Sequence, residues 1–190
     1  MKKFLLFAVA SILFSTATIA QKTYTQDKNH SRVSFSATHF GISHVEGIFK
    51  NFDVTLEAKK PDITDAVITL TIDVSSINTE VAYRDNDLKS ANYFDTSKYQ
   101  AITFKSTSFK NISGKNYKLA GNITIHGVSK PIVFDVVYNG TAVTAMKKPT
   151  AGFTITGKLN RLDFGVGGSA LTSGISNEIE LRSNVEFTIN

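Results

Sequence analysis

The sequence has no cysteine, no tryptophan and only three prolines among 190 residues. Without cysteine there can be no disulfide, no thiolate metal site, no cysteine nucleophile and no lipoprotein anchor attached through a thioether. Runs of like charge are also missing. The 21 basic and 16 acidic residues are scattered, and the net charge of +5 falls to about +3 once the leader lysines described below are removed. That mild, dispersed excess predicts a soluble surface and no nucleic-acid partner. No apolar segment reaches the roughly 20 residues of a spanning helix, so no transmembrane span is expected. GxSxG, HExxH, P-loop and dinucleotide fingerprints are absent too, and the residues argue against an enzyme and against any cofactor.

The apolar run from Phe4 to Phe14 follows the basic Met1-Lys2-Lys3 and precedes the small and apolar Thr18-Ile19-Ala20. This order predicts a secretory signal peptide over residues 1–20, cut after Ala20, with residues 21–190 forming one exported domain in the periplasm or beyond. A domain of that size can bury a substantial core.

The most strongly patterned stretch runs from Asn116 to Tyr138. Tyr117, Leu119, Gly121, Ile123 and Ile125 share one face of its first half. Ile132, Phe134, Val136 and Tyr138 share one face of its second, so the two halves read as a long hairpin. The turn is expected over His126 to Lys130, with Pro131 opening the returning strand. Further strands follow the same alternation: Arg32 to Phe40, Ala66 to Val74, Ala101 to Phe109, Ala151 to Leu159 and Glu178 to Ile189. Lys22 to Gln26 reads as a short edge strand. Val45 to Ala58 reads as a long strand with a bulge or bend near Gly47 and Phe49. Residues Asn78 to Tyr99 lose the alternation and predict one or two short helices capped by Thr79. Asn160 to Ser176, rich in glycine and serine, predicts a loop with room to move. Eight or nine strands joined mostly by short turns predict an all-β antiparallel meander, closed as a barrel or packed as a sandwich.

Four histidines, His30, His39, His44 and His126, are the candidates for metal or proton chemistry. A His39/His44 zinc pair is the sharpest such reading, but no carboxylate cluster accompanies it, and a structural or pocket-lining role for His39 is favoured. Arg84, Asp85 and Asp87 form a charged cluster that fits a solvated helix face or a headgroup contact. Arg161 and Asp163 fit anchoring of the RLDFGVGG loop or a polar mouth. Fourteen phenylalanines either pack a core or line an unreactive apolar cavity.

A set of motifs in order gives a further indication: DKNHS at 27–31, HFGISHVEGIF at 39–49, SSINT at 75–79, RDNDLKS at 84–90, YFDTSKY at 93–99, ITFKS at 102–106, GNITIHGVSKP at 121–131 and RLDFGVG at 161–167. Together they resemble the YceI-like lipid/polyisoprenoid-binding family over nearly the whole exported chain. It departs from the family pattern at Asp87, where histidine is usual, and at Gln100, where proline is usual. The resemblance implies a lipocalin-like antiparallel β-barrel with a helical insertion, whose elongated cavity takes a polyisoprenoid or long-chain fatty lipid. It also implies export and a homodimer. On this reading Phe35, Phe52, Leu70, Phe104, Ile123, Ile125, Phe134, Phe153 and Phe187 line the lipid cavity, and His39, Arg84, Asp85 and Arg161 stand at a polar mouth. The alternatives are a ligand-free structural or stress-related envelope protein, in which side chains meet at the axis, and an enzyme acting on a lipid, which lacks a nucleophile and base.

Overall fold

The structure, a computed structural model, describes residues 22–60, 62–145, 147–168 and 174–189. The predicted signal peptide lies outside the described residues. In chain order the strands are β1 (Lys22–Gln26), β2 (Arg32–His39), β3 (Ser43–Phe49), β4 (Phe52–Ala58), β5 (Val67–Asp73), β6 (Ile77–Asn78), β7 (Ala101–Ser113), β8 (Asn116–Ile125), β9 (Val128–Val143), β10 (Pro149–Asn160) and β11 (Ile175–Ile189). Helix α1 (Ala82–Lys89) lies between β6 and β7, and short 3-10 turns occupy Val74–Ser76 and Arg161–Phe164.

Every pairing is antiparallel. The sheet runs β1-β4-β5-β7-β8-β9-β10-β11-β2-β3-β6, and an additional β1–β11 pairing closes it. β1 with β2, β3 with β4 and β5 with β6 each form one interrupted stave, so the wall is an eight-stave closed barrel. Closure leaves no long bare sheet edge, and it decides for the barrel over the sandwich. β1 is therefore a closing strand and not the edge expected from its weak alternation: Tyr24 faces Leu56 on one side and Ile189 on the other.

The β8–β9 hairpin turns on two residues, His126 and Gly127, with φ of 50° and 76°. Positive φ at both central residues is the geometry whose twist matches a hairpin. The turn is thus shorter than expected, and Pro131 lies inside β9, facing Asn122. The proline is tolerated there because the β9–β10 ladder ends at Asp135 and Thr156, so its missing N–H leaves no rung open on that side.

Gly47 is not a bulge. It pairs in register with Phe35, and the run from Val45 to Ala58 breaks later, at Lys50-Asn51. Only one helix forms between Asn78 and Tyr99, and its N-cap is Val81 instead of Thr79. Thr79 is buried, and its hydroxyl lies 2.6 Å from Asp85 Oδ1 and 2.7 Å from Arg84 Nε. It ties the helix to the strand before it. Residues 90–99 form turns around Asp95, whose carboxylate accepts from the Ser97 hydroxyl at 2.7 Å and faces Lys98 Nζ at 3.0 Å. The loop after β10 begins with Arg161, which is buried and fixes the described part of that loop; residues 169–173 lie outside the described residues.

Candidate functional site: an axial apolar cavity

The inward face of the staves is predominantly apolar, yet the barrel is not filled. Phe35, Phe52, Leu70, Ile155, Leu159 and Leu181 point inward and remain only partly buried. Three chambers lie along the axis. The central one, of about 120 Å³, is bounded by Phe52, Leu70, Phe104, Ile123 and Phe134 among others. The chamber toward the helical end, of about 110 Å³, is capped by Leu88, Tyr93, Phe94, Phe164 and Val166. A third, of about 40 Å³, lies toward the other end between Phe109, Val136, Phe153 and Phe187. Phe35, Phe49, Ile102, Ile125, Leu159 and Leu181 are common to the first two, and Val54, Ile68, Leu119, Ile155 and Val185 to the first and third. The chambers therefore succeed one another along a single axis.

Voids of this size depart from the close packing of ordinary interiors. Three inward glycines seat the large rings that border the central chamber. A Cβ on Gly157 would come within 2.5 Å of Phe134 Cδ1, and one on Gly121 within 2.5 Å of Phe104 Cε2. Gly47 stands in the same relation to Phe35. Each ring thus rests on bare backbone, and the space it would otherwise take at the axis stays open. Phe104 and Phe134 meet edge to face at 5.5 Å. At the far end the rings narrow the bore: Phe187 stands 6.4 Å from Tyr24 and 6.1 Å from Phe153, both edge to face.

The polar groups near the cavity are few. Ser34, Arg182 and Ser183 contribute to the central chamber and Arg161 to the helical-end chamber. Burial lowers the pKa of Arg161, and burial raises that of Tyr93, assisted by Asp87. The Arg161 guanidinium donates to the carbonyls of Val166 at 2.9 Å, Gly167, Ser176 at 3.0 Å and Ile175 at 3.3 Å, and to Asn177 Oδ1 at 3.2 Å. Water entering the chambers would find almost no partners, which favours a dry cavity. Hydrocarbon meets no such penalty.

Phe35, Phe52, Leu70, Phe104, Ile123, Ile125 and Phe134 border the central chamber, and Phe153 and Phe187 the far one. The four mouth residues are not gathered at one receptor. Arg84 and Asp85 both bind Thr79, Arg161 holds its own loop, and the His39 ring packs on Phe40 at 4.5 Å. His39 and His44 face Ser43 and Thr38 across the β2–β3 ladder. They therefore project to opposite faces of the hairpin, and the zinc pair does not form. Among the described residues the closest gathering of metal-ligand types is Asp27, His30 and Glu186, where Asp27 already accepts from the main-chain N–H groups of Asn29 and His30 and lies 2.8 Å from the His30 ring. Alternation misses the cap residues Tyr93, Phe94, Phe164 and Val166, which lie in aperiodic segments.

A closed eight-stave antiparallel barrel with an apolar axial cavity is a lipocalin-like architecture. The chain belongs to the YceI-like family: the profile described as YceI-like domain matches residues 24–187. Protein YceI of Salmonella arizonae is 34% identical over 189 residues, covering 98% of this chain and 97% of that protein. The crystal structure of the Campylobacter jejuni YCEI protein is similar with a TM-score of 0.70 and 34% identity over 80% of this chain and 88% of that one. Two more distant structures share the fold. BcnA of Burkholderia cenocepacia has a TM-score of 0.77 at 22% identity, covering 85% of this chain and 98% of that one. A polyisoprenoid binding domain from Saccharophagus degradans has a TM-score of 0.64 at 14% identity, covering 88% of this chain and 98% of that one.

Proposed function

We propose that this chain is an exported carrier that holds a polyisoprenoid or another long-chain lipid tail along the barrel axis. The observation that carries the reading is the open apolar bore, maintained where Phe35, Phe104 and Phe134 rest on glycines. Polyisoprenoid binding by the Saccharophagus degradans domain of the same fold supports it, and so does membership of a family of binding domains. A hydrocarbon tail has no polar handle, so its site needs area and shape instead of specific donors. Each methylene removed from water contributes about 0.8 kcal/mol, and a tail long enough to run through successive chambers accumulates that gain. The nine bordering residues supply the wall, and the headgroup stays outside the dry bore because the chambers offer it almost no partners. Among the mouth residues, His39 is the candidate for headgroup contact, because Arg84, Asp85 and Arg161 are engaged in holding local structure. The leader at residues 1–20 directs the chain out of the cytoplasm, to the periplasm or beyond, and a homodimer is the expected assembly.

The test is titration of the purified protein with a fluorescent polyene fatty acid, followed by displacement with an unlabelled polyprenol. Saturable binding at about one probe per chain, reversed by the polyprenol, is the expected result. Absence of probe binding overturns the reading.

A further inference from the structure

Aromatic side chains narrow both ends of the bore, Phe94 and Phe164 at the helical end and Phe153 and Phe187 at the other. A weak place in the side wall would give a tail a direct way to the central chamber. The wall contains a seam suited to this. The β2–β3 ladder ends at Val33 opposite Phe49, and the same two staves pair again only at Tyr24 opposite Leu56. Between those rungs, among the described residues, the two edges are joined by side chains: Val54 N–H donates to Gln26 Oε1 at 2.9 Å, and Lys28 Nζ meets Asp53 Oδ1 at 2.5 Å. Gln26 Nε2 is buried there without a hydrogen-bond partner.

Each edge of the seam is nevertheless fastened on its other side by the main chain. Asp27 N–H donates to the Glu186 carbonyl at 2.8 Å, which ties the first edge to β11. Asp73 N–H donates to the Asn51 carbonyl at 3.0 Å, and Lys50 N–H to the Ser76 carbonyl at 3.2 Å, which tie the second edge to β5 and the turn after it. The two edges are thus firm lips with a weak join. On the second edge the join runs from Phe49 to Leu56, with a bend at Lys50-Asn51. It lies over the central chamber, whose border includes Val33, Phe49, Phe52 and Val54. Outside it runs a groove bordered by Gln26, Lys28 and Asp53, and Phe52 borders both spaces.

We propose that this seam is a lateral portal through which a lipid tail passes between solvent or membrane and the central chamber, with Phe52 as its inner plug and the Lys28–Asp53 pair as its outer latch. An exposed ion pair contributes little to stability, so the latch opens at small cost while the rest of the barrel stays intact. The proposal rests on the lipid-carrier reading.

The absence of cysteine makes the test specific. K28C/D53C is bridged with a short, reducible thiol crosslinker, and uptake and release of the fluorescent polyene fatty acid are followed by stopped flow. Bridging is expected to slow both by about tenfold or more with little change in equilibrium affinity, because a gate alters rates and not the end states. Reduction restores the rates. K28E, which sets like charges across the seam, is expected to accelerate exchange. Unchanged exchange in the bridged protein together with unchanged exchange in K28E overturns the portal while leaving the carrier intact. Failure of the unmodified protein to bind the probe at all overturns the carrier reading and the portal with it.

Discussion

Phe134 is covered from below by Gly157: a Cβ at that glycine would lie 2.5 Å from Cδ1 and 2.9 Å from Cε1 of the ring. The glycine is what allows a residue as large as phenylalanine to face the axis without occupying it. Gly157→Ala is accordingly expected to push the Phe134 ring into the bore. Overpacking of this kind costs about 1–3 kcal/mol, and the loss is read from denaturant unfolding. Probe affinity falls with it. Adding Phe134→Leu removes the clash, so the double variant is expected to recover most of the stability, a coupling a thermodynamic cycle measures directly.

Filling the bore from elsewhere gives the opposite balance. Leu70 borders the central chamber and is only partly buried, so Leu70→Trp has room for its larger ring. It is expected to cost less than about 1 kcal/mol, below the usual cost of overpacking a filled core, while weakening probe binding by at least about tenfold. A large loss of stability with binding intact contradicts a hollow centre.

Arg161 is expected to behave as a structural clamp. Hydrogen bonds to charged groups contribute about 1.5–3 kcal/mol each, and its guanidinium holds Val166, Ser176 and Ile175 carbonyls together. Arg161→Met is predicted to lower unfolding free energy by more than about 2 kcal/mol, and Arg161→Lys to recover little of it, because an ammonium cannot reproduce the fork. A variant that keeps full stability but loses lipid binding assigns Arg161 to the headgroup instead.

The Asp27–His30 pair makes the 27–31 turn sensitive to pH. The hydrogen bond to Asp27 raises His30 above its ordinary 6.5, and the same bond lowers Asp27 below its ordinary 3.8. Glu186 adds to the rise at His30. A raised base stabilises fully below its unfolded value and ceases to do so as pH climbs through the folded one. A lowered acid stabilises above its unfolded value and ceases to do so as pH falls through the folded one. The turn is therefore held best in mildly acidic solution and loosens on the alkaline side. Since it forms one lip of the seam, probe exchange is expected to be faster near pH 8 than near pH 5.5, and His30→Gln is expected to remove the difference.

Much of the barrel is legible in the chain because each stave buries one face, and alternation reports that directly: period two alone picks out Ile179, Leu181, Val185 and Phe187 as the inward row of β11. Closure is not legible. Lys22–Gln26 is too short for its pattern to show that it has neighbours on both sides. The two-residue turn at His126 is hidden for another reason: left-handed backbone is uncommon at any residue with a side chain, histidine included, and the twist of the hairpin selects it here. For the cavity, the wall residues follow from period two, and the in-phase glycines Gly121 and Gly157 are a visible signal of thin wall beneath large rings. The caps Phe94 and Phe164 sit in aperiodic turns, where no spacing rule applies. Arg84 and Asp85 read as a charged cluster, yet their roles depend on reaching back to Thr79, a contact that periodicity does not describe.

The most direct measurement is native mass spectrometry of the mature protein purified from its own host without detergent. A hollow carrier predicts a mass above that of the bare chain by one long-chain lipid, released into organic solvent and identifiable there. A bare-chain mass, no extractable lipid and no uptake when polyprenol is supplied would contradict the account.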